Sequence, residues 1–129
     1  MRRKMEPGEK PLYWVGASKR DLMAMPAAVI RHIGTAFSVA QYGGKHPDAK
    51  PWKGLGPGIL EVVSDFDTNT FRAAYIVRFE RAVYVLHCFP KKSTRGMRTA
   101  KTDVELIERH LRAARTDYEA KYGTVHQKR

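Results

Sequence analysis

Basic side chains cluster in the second half of the chain at positions where they could act on a phosphate group. Arg72 and Arg78 lie on one predicted strand at even spacing, so they share a face. Lys91 and Lys92 follow the next predicted strand. Fixed Arg and Lys groups stabilise the negative charge that develops on a phosphate during attack by a 2′-hydroxyl. Two interpretations of Arg72 and Arg78 stay open. In one, both are charges that face solvent; in the other, their face of the sheet contacts a polyanion.

A tight turn places these cations relative to one another. If the chain reverses at Glu80-Arg81 and the flanking strands pair antiparallel, Phe89 lies opposite Arg72. Lys91 and Lys92 then follow two or three residues further along, within reach of a shared phosphate. A lysine whose pKa is lowered by neighbouring cations can also act as an acid or base.

Other kinds of chemistry find little support in the sequence. No pair of histidines has the spacing of metal ligands, so we expect no metal site. Cys88 adjoins His87 on a predicted strand, where neighbours point to opposite faces, which favours a buried structural cysteine. The glycine-rich stretch 53–58 lacks the Gly-Lys-Ser/Thr ending of a phosphate-binding loop and leads into a strand. The histidines are His32, His46, His87, His110 and His126.

The elements that must position these residues follow from hydrophobic periodicity and turn residues. Thr102 and Glu105 form a capping box for the last helix. The order of elements predicts an α+β fold: a small antiparallel sheet, made of an N-terminal strand plus a three-stranded meander, with helices packed on one face. The strands are 11–16, 59–66, 70–79 and 82–89; the helices are a short one from Ser18, one from Pro26 to Gly43, and one ending at Gly123.

The chain reads as one domain of 129 residues. We expect a flexible N-terminal tail at 1–10, a single domain at 11–122 and a basic C-terminal tail at 123–129. No apolar run approaches the ~20 residues needed to span a bilayer, and no signal peptide is recognisable. These observations predict a cytoplasmic protein with no membrane partner.

The formal net charge of +11 is the strongest compositional signal. Such an excess is typical of proteins that contact a polyanion, because Lys and Arg release the counterions condensed on phosphates. An acidic partner protein is also compatible with this charge, and the two partners do not exclude each other.

The sequence resembles the HigB/RelE-type toxins of type II toxin–antitoxin systems, in the branch of phage-derived toxin-like proteins. The resemblance covers roughly residues 11–115 and is most specific from Ala82 to Phe89, followed by Lys91-Lys92-Ser93. Weaker matches are Trp14-Val15-Gly16, the glycine stretch 53–58 and the segment 70–75.

This resemblance implies a RelE-like sheet and a ribosome-dependent, metal-independent endoribonuclease that needs no cofactor and inhibits translation by cutting mRNA. The implied partners are a cognate antitoxin, expected to be a small helix-turn-helix protein, the mRNA and the ribosome. By position, Arg72 and Lys91 or Lys92 match functional basic residues of the family, and we take all three as candidate catalytic residues. The candidate RNA-binding residues are Lys53, Arg78, Arg95 and Arg98.

Two other functions remain open at this stage. One is a ParE-like toxin that inhibits DNA gyrase without cutting RNA. The other is a non-enzymatic accessory protein that binds nucleic acid. Convergence of Lys53, Arg72, Lys91 and Lys92 on one concave surface would favour the nuclease, whereas cations spread over a convex helical face would favour binding alone.

Overall fold

The computed structural model describes residues 5–91 and 99–123, and these form an α+β fold. This confirms the expected fold class and is consistent with a RelE-like arrangement. Within these ranges the helices are α1 (Ser18–Met23), α2 (Ala27–Gln41) and α3 (Lys101–Tyr122). The strands are β1 (Leu12–Trp14), β2 (Ala49–Pro51), β3 (Ile59–Phe66), β4 (Asn69–Ile76) and β5 (Val83–Pro90).

The sheet is mixed rather than purely antiparallel. Its order is β1-β5-β4-β3-β2, and β1 pairs parallel with β5 while the other neighbours pair antiparallel. The expectation of an antiparallel sheet was therefore wrong for β1. It pairs with β5, the last strand of the meander, and the long connection between them contains α1, α2 and the strands β2, β3 and β4. A parallel pair needs a long connection, which this segment supplies. The short strand β2 was also missed, because it lies in a segment rich in proline and glycine.

The pairing of β4 with β5 confirms the expected register at the site. Arg72 lies opposite Phe89, and Ala73 lies opposite Cys88. The register then shifts by one residue between Ala74 and Tyr75, where β5 contributes one extra residue, Leu86. A bulge of this kind increases local twist and changes which residues face a given layer.

Helices cover both faces of the sheet, which corrects the expectation that they pack on one face. α1 and α2 bury one face, with Val29, Ile33 and Phe37 against Tyr75 and Val85. The opposite face is covered by α3, whose apolar stripe at Val104, Ile107, Leu111, Ala114 and Tyr118 packs on the sheet as expected. The physical reason is that β4 and β5 are apolar on both faces, so both faces must be removed from water.

The start of α3 differs from the expectation. The helix begins at Lys101, and Ala100 occupies the N-cap position. The prediction of a capping box at Thr102 and Glu105 was therefore wrong. Thr102 instead lies within the first turn. Residues Thr99 and Ala100 thereby become the lead into the helix, and Thr99 is placed over the sheet.

Gly58 is held against Arg78, two residues beyond the end of β4, and this contact gives a stability prediction. Its φ is +81°, and a Cβ added there would overlap the Cβ of Arg78. We expect Gly58→Ala to lower the free energy of unfolding by roughly 2–4 kcal/mol, from left-handed strain plus the overlap. Gly56→Ala is the matched control, because Gly56 has a φ of +93° but open space around it. Its loss should be about 1–2 kcal/mol. Urea unfolding measures both, and equal losses would contradict this account of the contact.

None of the helices in the described ranges is long and apolar enough to cross a membrane.

Candidate functional site

A groove of about 660 Å³ opens on the α3 side of the sheet. The strands β2, β3 and β4, the loop after β2 and the N-terminal part of α3 all contribute to its walls. Three cations and two carboxylates face this groove. The cations are Lys50, Lys53 and Arg72, and the carboxylates are Glu61 and Glu108; Trp52, Leu55, Thr99 and Val104 also line it.

Arg72 is the most buried of the three cations that line the groove. Its side chain is only 4% exposed. Nη1 donates a hydrogen bond to Thr99 Oγ1 at 2.8 Å and lies 3.6 Å from Glu61 Oε2. Nε is buried and has no hydrogen-bond partner in the described part of the chain. The guanidinium is therefore fixed by the sheet on one side and by the lead into α3 on the other.

Glu61 is the functional candidate that the sequence reasoning missed. Its side chain is 13% exposed, and its two oxygens lie between two cations: Oε1 is 3.8 Å from Lys50 Nζ and Oε2 is 3.6 Å from Arg72 Nη1. The pairing of β3 with β4 explains this position. Val63 lies opposite Arg72, so Glu61 is the diagonal neighbour of Arg72 on the same face. Extending the register argument to β3 would have found it.

Lys53 lies in the loop between β2 and β3 and joins Arg72 in the groove lining. The loop is closed at its base by a hydrogen bond from the Trp52 amide to the Ile59 carbonyl at 2.7 Å. Trp52 itself is 9% exposed and packs with the core under α3. The structure thus brings together two of the sequence-derived candidates, from segments about 20 residues apart.

The remaining candidates are placed differently. Lys91 directly follows β5, and its amide donates to the Thr70 carbonyl at 2.8 Å, so strand pairing continues to this residue. By alternation from Phe89 it is on the same face as Arg72. Arg78 lies beyond the end of β4 and packs against Gly58, away from the groove lining. Lys92, Arg95 and Arg98 lie outside the described residues.

His87 and Asp103 form a second titratable pair near the N-terminal end of α3. His87 Nε2 lies 2.8 Å from Asp103 Oδ1, and the imidazole stacks on Phe89 with centroids 4.6 Å apart. Both residues line a cavity of about 380 Å³. The cavity lies along residues 87–90 of β5, beyond the last residue of β5 that pairs with β1, which is Val85. Because Phe89 faces Arg72 across the ladder, this pair lies beside the groove.

Cys88 is a structural residue, as expected from its alternation with His87. It is 1% exposed and packs in the core under α1 and α2, whereas His87 contacts α3. Burial raises the pKa of the Cys88 thiol to about 12. A thiol with such a pKa carries almost no thiolate at neutral pH, so it is a poor nucleophile.

The architecture defines a small α+β protein with a mixed-charge groove between its sheet and its last helix. Residues 20–112 match the sequence model of a family described as phage-derived Gp49-like proteins. This match covers more than half of the chain, so the protein belongs to the Gp49-like family. No curated protein matches the chain.

Proposed function

We propose that this protein is the toxin of a type II toxin–antitoxin pair, of the HigB/RelE kind, and that it cuts mRNA in the groove under α3. The observation that carries this proposal is the fixed Arg72 guanidinium, which shares a concave surface with Lys50, Lys53 and the carboxylate of Glu61. Membership of a phage-derived family and the resemblance to HigB/RelE-type toxins support the same function.

The proposed reaction is cleavage of RNA by its own 2′-hydroxyl. The 2′-oxygen attacks the adjacent phosphorus, and its proton passes to a carboxylate oxygen of Glu61. Arg72 and the groove lysines stabilise the added negative charge on the phosphate oxygens. The bond to the 5′-oxygen then breaks, leaving a 2′,3′-cyclic phosphate on one fragment and a 5′-hydroxyl on the other. We propose that Lys91 or Lys92 supplies the proton to the leaving oxygen.

The charge balance of the groove favours RNA cleavage that depends on translation. Glu61 and Glu108 offset much of the positive charge of its three cations, so the groove alone is a weak binding site for free RNA. A second component that holds the mRNA with its 2′-hydroxyl in line would supply the missing positioning. We propose that the ribosome is this component and that the +11 charge of the whole chain favours docking on it.

The implied partner protein gives the experiment that tests the toxin role. Expression of the protein alone should arrest growth, and co-expression with the protein encoded by the neighbouring reading frame should restore growth and raise the yield. We expect that neighbour to be a small helix-turn-helix protein with enough acidic residues to complement this surface. High expression of the protein alone with no growth defect would contradict the proposal.

A further inference from the structure

Two histidines and an aspartate converge on the other side of the sheet, away from the groove. His32 is on α2, and His46 and Asp48 are in the segment that leads into β2. One ligand atom from each residue lies within 4.8 Å of the other two. The imidazoles of His32 and His46 meet edge to face, with centroids 5.6 Å apart. We infer that His32, His46 and Asp48 form a binding site for a divalent transition-metal ion, with zinc as the best fit.

The distances suit a metal with short bonds. A tetrahedral zinc ion with ligand bonds of roughly 2.0–2.2 Å needs neighbouring ligand atoms about 3.3 Å apart. His32 Nε2 lies 2.8 Å from Asp48 Oδ2, and His46 Nδ1 lies 4.0 Å from the same oxygen. These two separations fall on either side of the required value, and the ligand atoms of the two histidines lie within 4.8 Å of each other, so zinc binding requires side-chain rotations. Two imidazoles and one carboxylate favour zinc over magnesium, which prefers oxygen ligands.

Ser64 positions the first ligand. Its hydroxyl is 2.7 Å from His32 Nδ1, and the residue is only 2% exposed. A hydrogen bond to the second ring nitrogen is the usual partner of a metal-bound histidine, because it fixes the ring and the tautomer. When zinc takes the Nε2 lone pair, the proton of neutral His32 resides on Nδ1, and Ser64 Oγ accepts it. Ser64 can make this exchange because a hydroxyl both donates and accepts.

The segment before β2 holds the other two ligands in place. The Ala49 amide donates to the His46 carbonyl at 2.9 Å, and Lys45 Nζ donates to the Ala49 carbonyl at 2.7 Å. The Asp48 amide donates to His46 Nδ1 at 3.0 Å, so this nitrogen carries no proton and its lone pair accepts that hydrogen bond. Zinc that binds at Nδ1 must replace the Asp48 amide on this lone pair.

The same residues also resemble a Ser-His-Asp arrangement, but burial argues against a hydrolase. Ser64 lies within β3 with its hydroxyl under His32, so a substrate carbonyl has no approach to it. Asp48, in contrast, has a side chain that is 56% exposed, and His32 is 30% exposed. The accessible side of the cluster is therefore the His32–Asp48 side, where an ion from solvent can bind.

Titration of the full-length protein with zinc chloride by calorimetry tests the inference. We expect one ion per chain. His46→Ala and Asp48→Asn should each weaken zinc binding by more than the roughly 10- to 100-fold expected for Ser64→Ala, which removes only a positioning partner. Asp67→Asn is the matched control, since it changes an exposed carboxylate in the β3–β4 turn and should leave binding unchanged. Circular dichroism without zinc establishes that each variant is folded.

Thermal unfolding provides an independent readout. Zinc at about 100 times its dissociation constant should raise the melting temperature of the wild-type protein by roughly 5–10 °C. Magnesium at the same concentration should not. The inference is overturned if zinc produces neither binding heat nor a shift in the wild-type protein. It is equally overturned if His46→Ala and Asp48→Asn bind zinc as tightly as the wild type, because the ion then binds elsewhere.

Discussion

Arg72→Ala should abolish growth arrest while leaving the protein able to bind its antitoxin. Removing a donor that stabilises the transition state typically costs about 10² to 10³ in rate. Arg72→Lys should also be severely impaired, because lysine cannot reproduce the planar fork that reaches Thr99 and faces Glu61. The measurement is colony formation after induction, together with the rate of RNA cleavage by the purified protein on translating ribosomes.

Burial of Arg72 makes a control for folding necessary. Arg31→Ala removes an exposed arginine from α2, on the opposite side of the sheet, and should leave growth arrest intact. Melting temperature and antitoxin binding establish that the Arg72 variants are folded. If folded Arg72 variants still arrest growth, the groove is not the active site. Inhibition of DNA gyrase without RNA cleavage then becomes the better account.

Glu61→Gln should lower the rate of RNA cleavage by roughly 10² to 10⁴, the usual contribution of a general base. Glutamine keeps the size of the side chain, but it has no negative charge and one acceptor oxygen fewer, so it cannot accept the proton of the 2′-hydroxyl. Single-turnover cleavage rates of the wild type and of Glu61→Gln on translating ribosomes measure the effect.

Glu108→Gln is the matched control for the base. Glu108 lines the same groove but comes from α3, and no described contact joins it to Arg72. Its substitution should change the rate by less than about tenfold. A normal rate in Glu61→Gln, with a large loss of rate in Glu108→Gln, would show that Glu108 and not Glu61 is the base.

The sequence was sufficient to predict the geometry that depends on local signals. The Glu80-Arg81 turn and the alternation of the flanking strands placed Phe89 opposite Arg72, and the structure confirms this pairing. It also confirms the separation of His87 from Cys88 onto opposite faces. Both follow from the two-residue period of a strand, which acts over short distances in the chain.

Features that depend on long-range packing were missed. The parallel pairing of β1 with β5 joins residues about 70 positions apart, and no local pattern reports it. The placement of α3 on the second face had a sequence signal, because β5 is apolar on both faces. The periodicity of a helix, however, does not specify which face of the sheet it covers. Glu61 and the His32–His46 pair were missed for a related reason. Their neighbours come from separate elements, so sequence spacing does not reveal them.

The most direct test of the central proposal is a map of transcript ends in cells that express the protein. Two reporter transcripts that differ only in the presence of a start codon should be compared, in cells carrying the wild type or Arg72→Ala. We predict new 5′-hydroxyl ends within the coding region of the translated transcript, none in the untranslated one, and none with Arg72→Ala. Growth arrest without new ends, or the same ends with Arg72→Ala, would contradict mRNA cleavage in this groove.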